Sequence, residues 1–452
     1  MTNPNPKTDR TYLFETARVP RAVFGVAIPA VISQIIALVY NMSDTFFVGQ
    51  LGDPNQVAAV SLVAPMMLAL TALANLFGIG AASATSRFTG AKDFGSARRA
   101  TAFGFYSGLI VAALLSASSI IFKGFFLDIL GAIGDTRGYA SDYQFWVFGI
   151  GAAPSLLSMA LSHYIRADGA PKTASFGLSA GGLINLILDP ILIFDFGFGL
   201  GVKGAAIATF AANVFTLLYF LRYFYVNRQD TSIGLHPRWF TLKWDISGQV
   251  LAIGLPGMLQ TLLASVSNTM LNQLAKGFGG EAVAALGIVK KIDTIPMSVT
   301  IGIAQGAMPL LGYNYAAKND LRMRSAAKFA LALAIGFSAL CAAVFIPFAP
   351  FFVKLFMLEP VTVSHGIYFL RIMCVSTPMM AVGFHMITLF QAVGKSRPAL
   401  VLSVLRKGVV DIPLMLLLNL AFPLIGLAFV QPAAEFIAMA AAILLYMRFK
   451  ER

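Results

Sequence analysis

Five acids in this sequence stand where water should be absent. Asp44, Asp189, Asp293, Asp411 and Glu435 each lie inside a long run of apolar residues. An ionised carboxylate at such depth in a hydrocarbon layer costs at least ~2.5 kcal/mol, so each needs a reason to be there. Asp189 lies about 15 residues into its run, roughly 22 Å at the helical rise. Asp44 lies about 22 residues into a longer first run that carries Pro29. Both positions fall toward the same outer half and can face one pocket. Two carboxyls buried side by side disfavour double ionisation, and such a pair can exchange a proton for a cation. The competing reading is structural: Asp189 would bond backbone freed by Pro190, and Asp44 would cap a helix end.

The second half of the chain carries a separate cluster. Asp293, Asp411 and Glu435 each fall about 10 residues into their runs, near the expected midplane. Lys290 and Lys291 precede Asp293 in the same run, and Lys290 is one helical neighbour step from it. A self-neutralising ion pair, a second cation site and a gate opened by breaking the pairs all fit these residues.

The elements that must position these acids follow from composition. The chain has 452 residues, 58% hydrophobic and only 12% charged, with mean hydropathy +0.77. Soluble domains carry about 25% charged residues. A soluble multidomain enzyme and a disordered chain are both excluded. Apolar runs of about 20 residues suffice to cross a bilayer. Twelve are legible, at about 22–48, 56–84, 100–125, 143–165, 174–195, 204–226, 248–275, 282–310, 327–354, 367–392, 400–420 and 424–447. The expected fold is an all-α polytopic membrane protein with twelve transmembrane helices. Prolines fall within many of these runs, and Pro29 is the expected functional hinge, because it shares a helix with Asp44.

Basic residues set the orientation. With the amino terminus inside, 25 of the 33 Lys and Arg fall in inside segments, Arg406 and Lys407 among them, against 6 outside. Lys290 and Lys291 remain within a span. This asymmetry places both termini in the cytoplasm of a cell that keeps the protein in its inner (cytoplasmic) membrane. It also accounts for the net charge of +13 without nucleic acid. Residues 1–21, with Lys7, Asp9 and Arg10, read as a cytoplasmic leader without the apolar core of a signal peptide.

An internal repeat organises the rest. Ile28-Pro29 precedes Leu255-Pro256 by 227 residues, and Asn41 precedes Asn268 by the same offset. At offset 226, Gly80 matches Gly306, Lys92 matches Lys318 and Arg98 matches Arg324. Pro154 then matches Pro378, and Arg-Ala-Asp-Gly at 166–169 aligns with Gln-Ala-Val-Gly at 391–394. The chain therefore divides into a leader (1–21), an N-lobe (22–226), a cytoplasmic linker (227–247), a C-lobe (248–447) and a tail (448–452). Two parallel six-helix repeats imply a pseudo-twofold axis along the membrane normal with a central cleft, which is a transporter architecture.

Several motifs carry a family likeness. Asp-Thr-Phe-Phe-Val-Gly (44–49), Ser-Met-Ala-Leu-Ser-His-Tyr-Ile-Arg-Ala-Asp-Gly (158–169), Asn-Leu-Ile-Leu-Asp-Pro (185–190), Pro-Leu-Leu-Gly-Tyr-Asn-Tyr-Ala-Ala-Lys (309–318) and Phe-Gln-Ala-Val-Gly-Lys (390–395) resemble multidrug and toxic compound extrusion (MATE) transporters, nearest the bacterial DinF-like branch. The resemblance implies cation-coupled antiport of small organic, mostly lipophilic and cationic compounds by alternating access. It implies an N-lobe acid pair as the proton-coupling site, which falls on Asp44 and Asp189 with Asn185 and Thr209 as neighbours. Proton coupling is favoured, and the C-lobe acids keep sodium open, since sodium-coupled members use acids there. Lys291 stands where relatives usually show arginine, and Asp411 where apolar residues are common, so the C-lobe role is less transferable. Tyr40 and Tyr143, with Asn41 beside Tyr40, are cleft candidates for holding a cation against a ring face.

Other signals fail on inspection. Gly394-Lys395-Ser396 lacks the first glycine of a P-loop, Leu389 standing in its place. The four histidines show no metal-ligand spacing, and no nucleophile-base-acid arrangement emerges. No enzyme, metal or cofactor is expected, the bilayer is the environment, and a monomer suffices for a two-lobe cleft. Two rivals remain: a flippase for a lipid-linked saccharide or another lipid-like substrate, and a non-transporting receptor or scaffold. The flippase would need a strongly basic cleft for its pyrophosphate.

Overall fold

The computed structural model describes residues 6–450 and the side chains of 11–449. Residues 1–5 of the expected leader, the Lys7, Asp9, Arg10 and Lys450 side chains and Arg452 lie outside that description. Among the described residues the ordered elements are helices. Nine are individually long and apolar enough to cross a membrane. We number the spans in chain order: span 1 Val19–Gly49, span 2 Pro54–Gly90, span 3 Phe94–Ile121, span 5 Pro171–Ile193 and span 6 Val202–Val226. In the second half, span 7 is Trp244–Lys276, span 8 Gly280–Ala316, span 9 Asp320–Phe345 and span 12 Ile425–Lys450. Spans 4 and 10 are bent pairs, Gly134–Gly149 with Ala152–Ala167 (44°) and Pro360–Cys374 with Thr377–Ala392 (47°). Span 11 runs from Ser396 to Ala421 through a π-helical stretch, Leu405–Val410. The total is the twelve that the apolar runs imply.

The repeat is written into the backbone as well as the sequence. Both bends fall where a proline four residues on, Pro154 or Pro378, removes a donor and crowds the carbonyl behind it. The turn after span 2 places Lys92 at φ 61°, and the turn after span 8 places Lys318 at φ 58°. Each lysine is followed by a capping residue: Asp93 accepts from the Ser96 amide and Asn319 from the Arg322 amide. Ser96 holds the Asp93 carboxyl below the usual carboxylate range, as the Asn55 amide does for the Asp53 cap of span 2. Expected runs 100–125 and 327–354 overshoot their helices. In both, a separate short helix follows, Lys123–Ile129 and Ala349–Lys354, again in register.

The lobes meet through equivalent pairs of helices. Span 2 packs along span 7, and span 8 along span 1, in the most extensive pairings between the halves. Gly80 and Gly306, matched by the repeat, make both approaches. A Cβ on Gly80 would lie 3.0 Å from the Val250 carbonyl carbon, and one on Gly306 would lie 2.6 Å from the Val26 oxygen. Small residues at such crossings let backbones touch where lipid gives no hydrophobic drive to pair. Lobe-to-lobe hydrogen bonds gather on the later part of span 2. Asn75 donates to Thr261 (3.1 Å), Ser83 to the Gln391 carbonyl (2.5 Å) and Arg87 to Gln249 (3.1 Å).

Chain ends reinforce the same end of the molecule. The helix Pro6–Glu15 docks on the second half, where the Phe14 carbonyl accepts from Asn314 (3.1 Å) and Arg322 (2.7 Å). The linker docks on the first half, where Asp168 accepts from Thr231 and Ser232 (2.8 and 2.9 Å). Gly80→Ala and Gly306→Ala are each expected to cost about 1–3 kcal/mol through forced separation of packed backbones. Gly287→Ala, whose Cβ meets nothing within 4 Å, is the neutral control. Thermal unfolding of the three purified variants checks this, and equal midpoints would contradict it.

Candidate functional site

Helical periodicity gathers the N-lobe site. Ser33, Ala37, Tyr40 and Asp44 recur at three- and four-residue steps along span 1 and line one cavity of about 470 Å³. Asn185 of span 5 and Thr209 of span 6 face it from the other side. Asp44 is 8% exposed and reaches the cavity, while Asp189 is 0% exposed and sits behind it. Thr209 Oγ1 donates to Asp44 Oδ2 at 3.3 Å. Asn185 Nδ2 donates to Asp189 Oδ1 at 3.3 Å and lies 3.4 Å from Thr209 Oγ1. Asn185 and Thr209 thus link the two carboxyls in one chain of polar groups. Asp44 Oδ1 and Asp189 Oδ2 are buried without any donor. Neither carboxylate has a cation among its partners in the described residues.

The structure thus brings together all four residues expected at the N-lobe site. Tyr40, Asn41 and Tyr143 line the same cavity. The Asn41 amide is spent on the Ala37 carbonyl (2.7 Å), one turn back along the helix. Pro29 lies within an unbroken helix, and Ser33 Oγ donates to its carbonyl at 2.9 Å. Sequence reasoning missed the uncharged polar wall: Gln34, Thr71, Ser158 and Asn213. Asn213 follows Thr209 by four residues, and its amide donates to the Thr209 carbonyl at 2.9 Å. That i, i+4 spacing on an otherwise apolar span was the available signal.

The C-lobe cluster differs from its expected form. Arg406 and Lys407, counted above with the cytoplasmic loops, lie at helix depth in span 11. Arg406 is 2% exposed, and its Nε bonds both oxygens of Glu435 (2.9 and 2.8 Å) while its guanidinium caps the Phe384 ring at 4.0 Å. Lys407 pairs with Asp411 at 3.4 Å, and Ser267 also donates to Asp411. Lys290 and Asp293 do not pair directly. Gln431 bridges them, accepting from Lys290 (2.9 Å) and donating to Asp293 (2.9 Å). Lys291 is exposed and joins none of these bonds. The π-helical stretch brackets Arg406 and Lys407, a feature frequent where side chains must be re-aimed. A buried charge survives at this depth because its partner is buried with it.

Glu435→Gln is expected to cost about 3–5 kcal/mol, because it leaves Arg406 buried and uncompensated. Replacing both residues together by methionine should recover most of that loss. Thermal unfolding in detergent checks this, and a double variant no better than Glu435→Gln would contradict it.

Comparison with known proteins fits this geometry. The MatE family model matches twice, over residues 29–191 and 256–417. Those matches start at Pro29 and Pro256, the positions paired by the repeat. Multidrug export protein MepA of Staphylococcus saprophyticus is 30% identical over 446 residues, covering 99% of this chain and 97% of MepA. MepA of Staphylococcus aureus (strain NCTC 8325 / PS 47) is 30% identical over 447 residues, with the same coverage of both chains. Among solved structures, the outward-facing conformation of a multidrug resistance MATE family transporter of the MOP superfamily superposes with TM-score 0.89. That match has 26% identity and covers 100% of this chain and 98% of the other. The chain belongs to the multidrug and toxic compound extrusion (MATE) family of membrane transporters.

Proposed function

We propose that this chain is a secondary active multidrug exporter that exchanges protons for lipophilic organic cations, with Asp44 and Asp189 as the coupling pair. One observation carries the reading. Asp44 lines a cavity of about 470 Å³, Asp189 is sealed behind it, and two of their oxygens lack any donor. A single shared proton supplies the missing donor. Without it, the pair presents uncompensated negative charge to the cavity, whose wall includes Tyr40 and Tyr143, aromatic residues of a type that attracts cations. Loading by a proton and loading by an organic cation therefore compete for one site, which is the condition for exchange.

The names of the relatives, multidrug export proteins, support the substrate class. The place where the lobes join supports a direction. Their bonds gather at the end bearing the termini, and the excess of basic residues assigns that end to the cytoplasm. On this reading the cavity opens outward, protons enter there, and release of the drug accompanies protonation of Asp44. Bending at Pro29 would then carry the change along span 1. Each chain holds both lobes, so the monomer is the working unit. Sodium is the weaker alternative, because Glu435 and Asp411 are already engaged by Arg406 and Lys407.

Purified protein in liposomes loaded with a fluorescent lipophilic cation tests the reading. Flux should follow an imposed pH gradient and ignore a sodium gradient at equal pH. Asp44→Asn and Asp189→Asn should each lower it by about tenfold or more, as loss of one charge-coupled interaction does. Wild-type flux in both variants, or sodium-driven flux lost only with Glu435→Gln, would overturn it.

A further inference from the structure

Outside the cavity and the C-lobe network, a recess of about 770 Å³ opens at the end of the N-lobe that carries the amino terminus. It is bounded by the first turns of span 1, the turn at Gly169 and Ala170, the start of span 5 and the last turns of span 6. One cation from each of the three spans lines it: Arg21, Lys172 and Arg222. All three are exposed, and none has an ion pair among the described residues. Arg21 lies 5.7 Å over the Tyr12 ring, which helps to form the roof. Span 5 begins here at Pro171, so its free amides add positive potential.

Deeper along the same helix faces the character changes. Ile28 follows Arg21 by seven residues, Phe176 follows Lys172 by four, and Leu218 precedes Arg222 by four. Each of these apolar side chains is exposed. Each span therefore presents a cation at the membrane surface and an uncovered apolar face one or two turns inward. An organic cation would be repelled by three positive charges. A small soluble anion would make no use of the apolar faces. A molecule with a phosphate at one end and hydrocarbon at the other fits both.

We propose that this recess seats an anionic phospholipid from the leaflet at this end, its phosphate among Arg21, Lys172 and Arg222 and its acyl chains along Ile28, Phe176 and Leu218. The same three spans carry Asp44, Asp189 and Thr209 toward their other ends. A lipid bound here ties together the helices that build the acid pair, at the end opposite the site. This inference stands on the spans crossing a bilayer and is independent of the coupling ion.

Diffuse attraction between basic loops and anionic lipid is the alternative that the test must separate. The full chain is purified in detergent with phosphatidylglycerol or phosphatidylcholine, and retained lipid is counted by native mass spectrometry. Wild type should hold phosphatidylglycerol saturably and not phosphatidylcholine. Arg21→Gln/Lys172→Gln/Arg222→Gln should lower retention by about a hundredfold. The charge-matched variant Arg324→Gln/Lys395→Gln/Arg397→Gln, with exposed cations on the second half, should stay close to wild type. Equal loss in both triples would overturn the proposal in favour of diffuse charge. Displacement by millimolar inorganic phosphate would overturn it in favour of a free-anion site. If the first triple does not purify as a single species, Arg222→Gln alone is read instead. About fivefold loss is then expected, and wild-type retention overturns the proposal.

Discussion

Within a bilayer a carboxylate can shed its charge only to a proton, to a bound cation or to a cationic side chain buried beside it. The two lobes take different routes. In the C-lobe, Arg406 and Lys407 hold Glu435 and Asp411, and Gln431 links Lys290 to Asp293. Glu435 and Asp411 are settled by those cations, while Asp293 has the Gln431 amide and one buried oxygen without a donor. In the N-lobe, among the described residues, Asp44 has the hydroxyl of Thr209 and Asp189 the amide of Asn185. Neither has a cationic side chain among those partners.

That unsettled pair matters because of how the lobes are joined. Spans 1 and 8, and spans 2 and 7, cross with backbone close to backbone at Gly306 and Gly80. Contacts of this kind are van der Waals in nature and allow one bundle to rock against the other. The bonds nearby are few and involve neutral amides or hydroxyls, with Arg87 the exception. Such bonds can be exchanged for water or for other partners at small net cost. Span 1 belongs to the lobe interface at one end and to the acid pair further along. A change in charge at Asp44 is therefore delivered to a helix that the interface already holds.

Much of this was legible before any coordinates. The repeat offsets found Gly80 with Gly306 and Lys92 with Lys318, and the structure gives each pair one shared job. Helical depth placed Asp44 and Asp189 together, because an acid in an apolar run is rare enough to be its own signal. Arg406 was misplaced for the opposite reason. A basic residue about 10 residues past a loop reads as part of that loop, since the sequence does not display a partner 29 residues further along. Lys290 and Asp293 looked like a helical ion pair because spacing permits one, yet Gln431 from span 12 takes both. Neutral wall residues such as Gln34 and Asn213 carry no penalty large enough to stand out from apolar surroundings.

The repeat makes the one-sided chemistry informative. At the offset relating Asn41 to Asn268, the counterpart of Asp44 is Leu271, a buried core residue of the second half. One turn before it, Ser267 is turned onto Asp411, which Lys407 already neutralises. The same scaffold therefore holds an acid without a counter-ion in one lobe and a compensated one in the other. Had both lobes carried open pairs, one proton would bias each lobe alike and the relative tilt would not change. With a single open pair, and on the proposed coupling, protonation would act on span 1 while the C-lobe supplied the fixed surface it moved against. On that proposal, two-fold architecture with one-sided charge would let a local titration become a difference between the lobes.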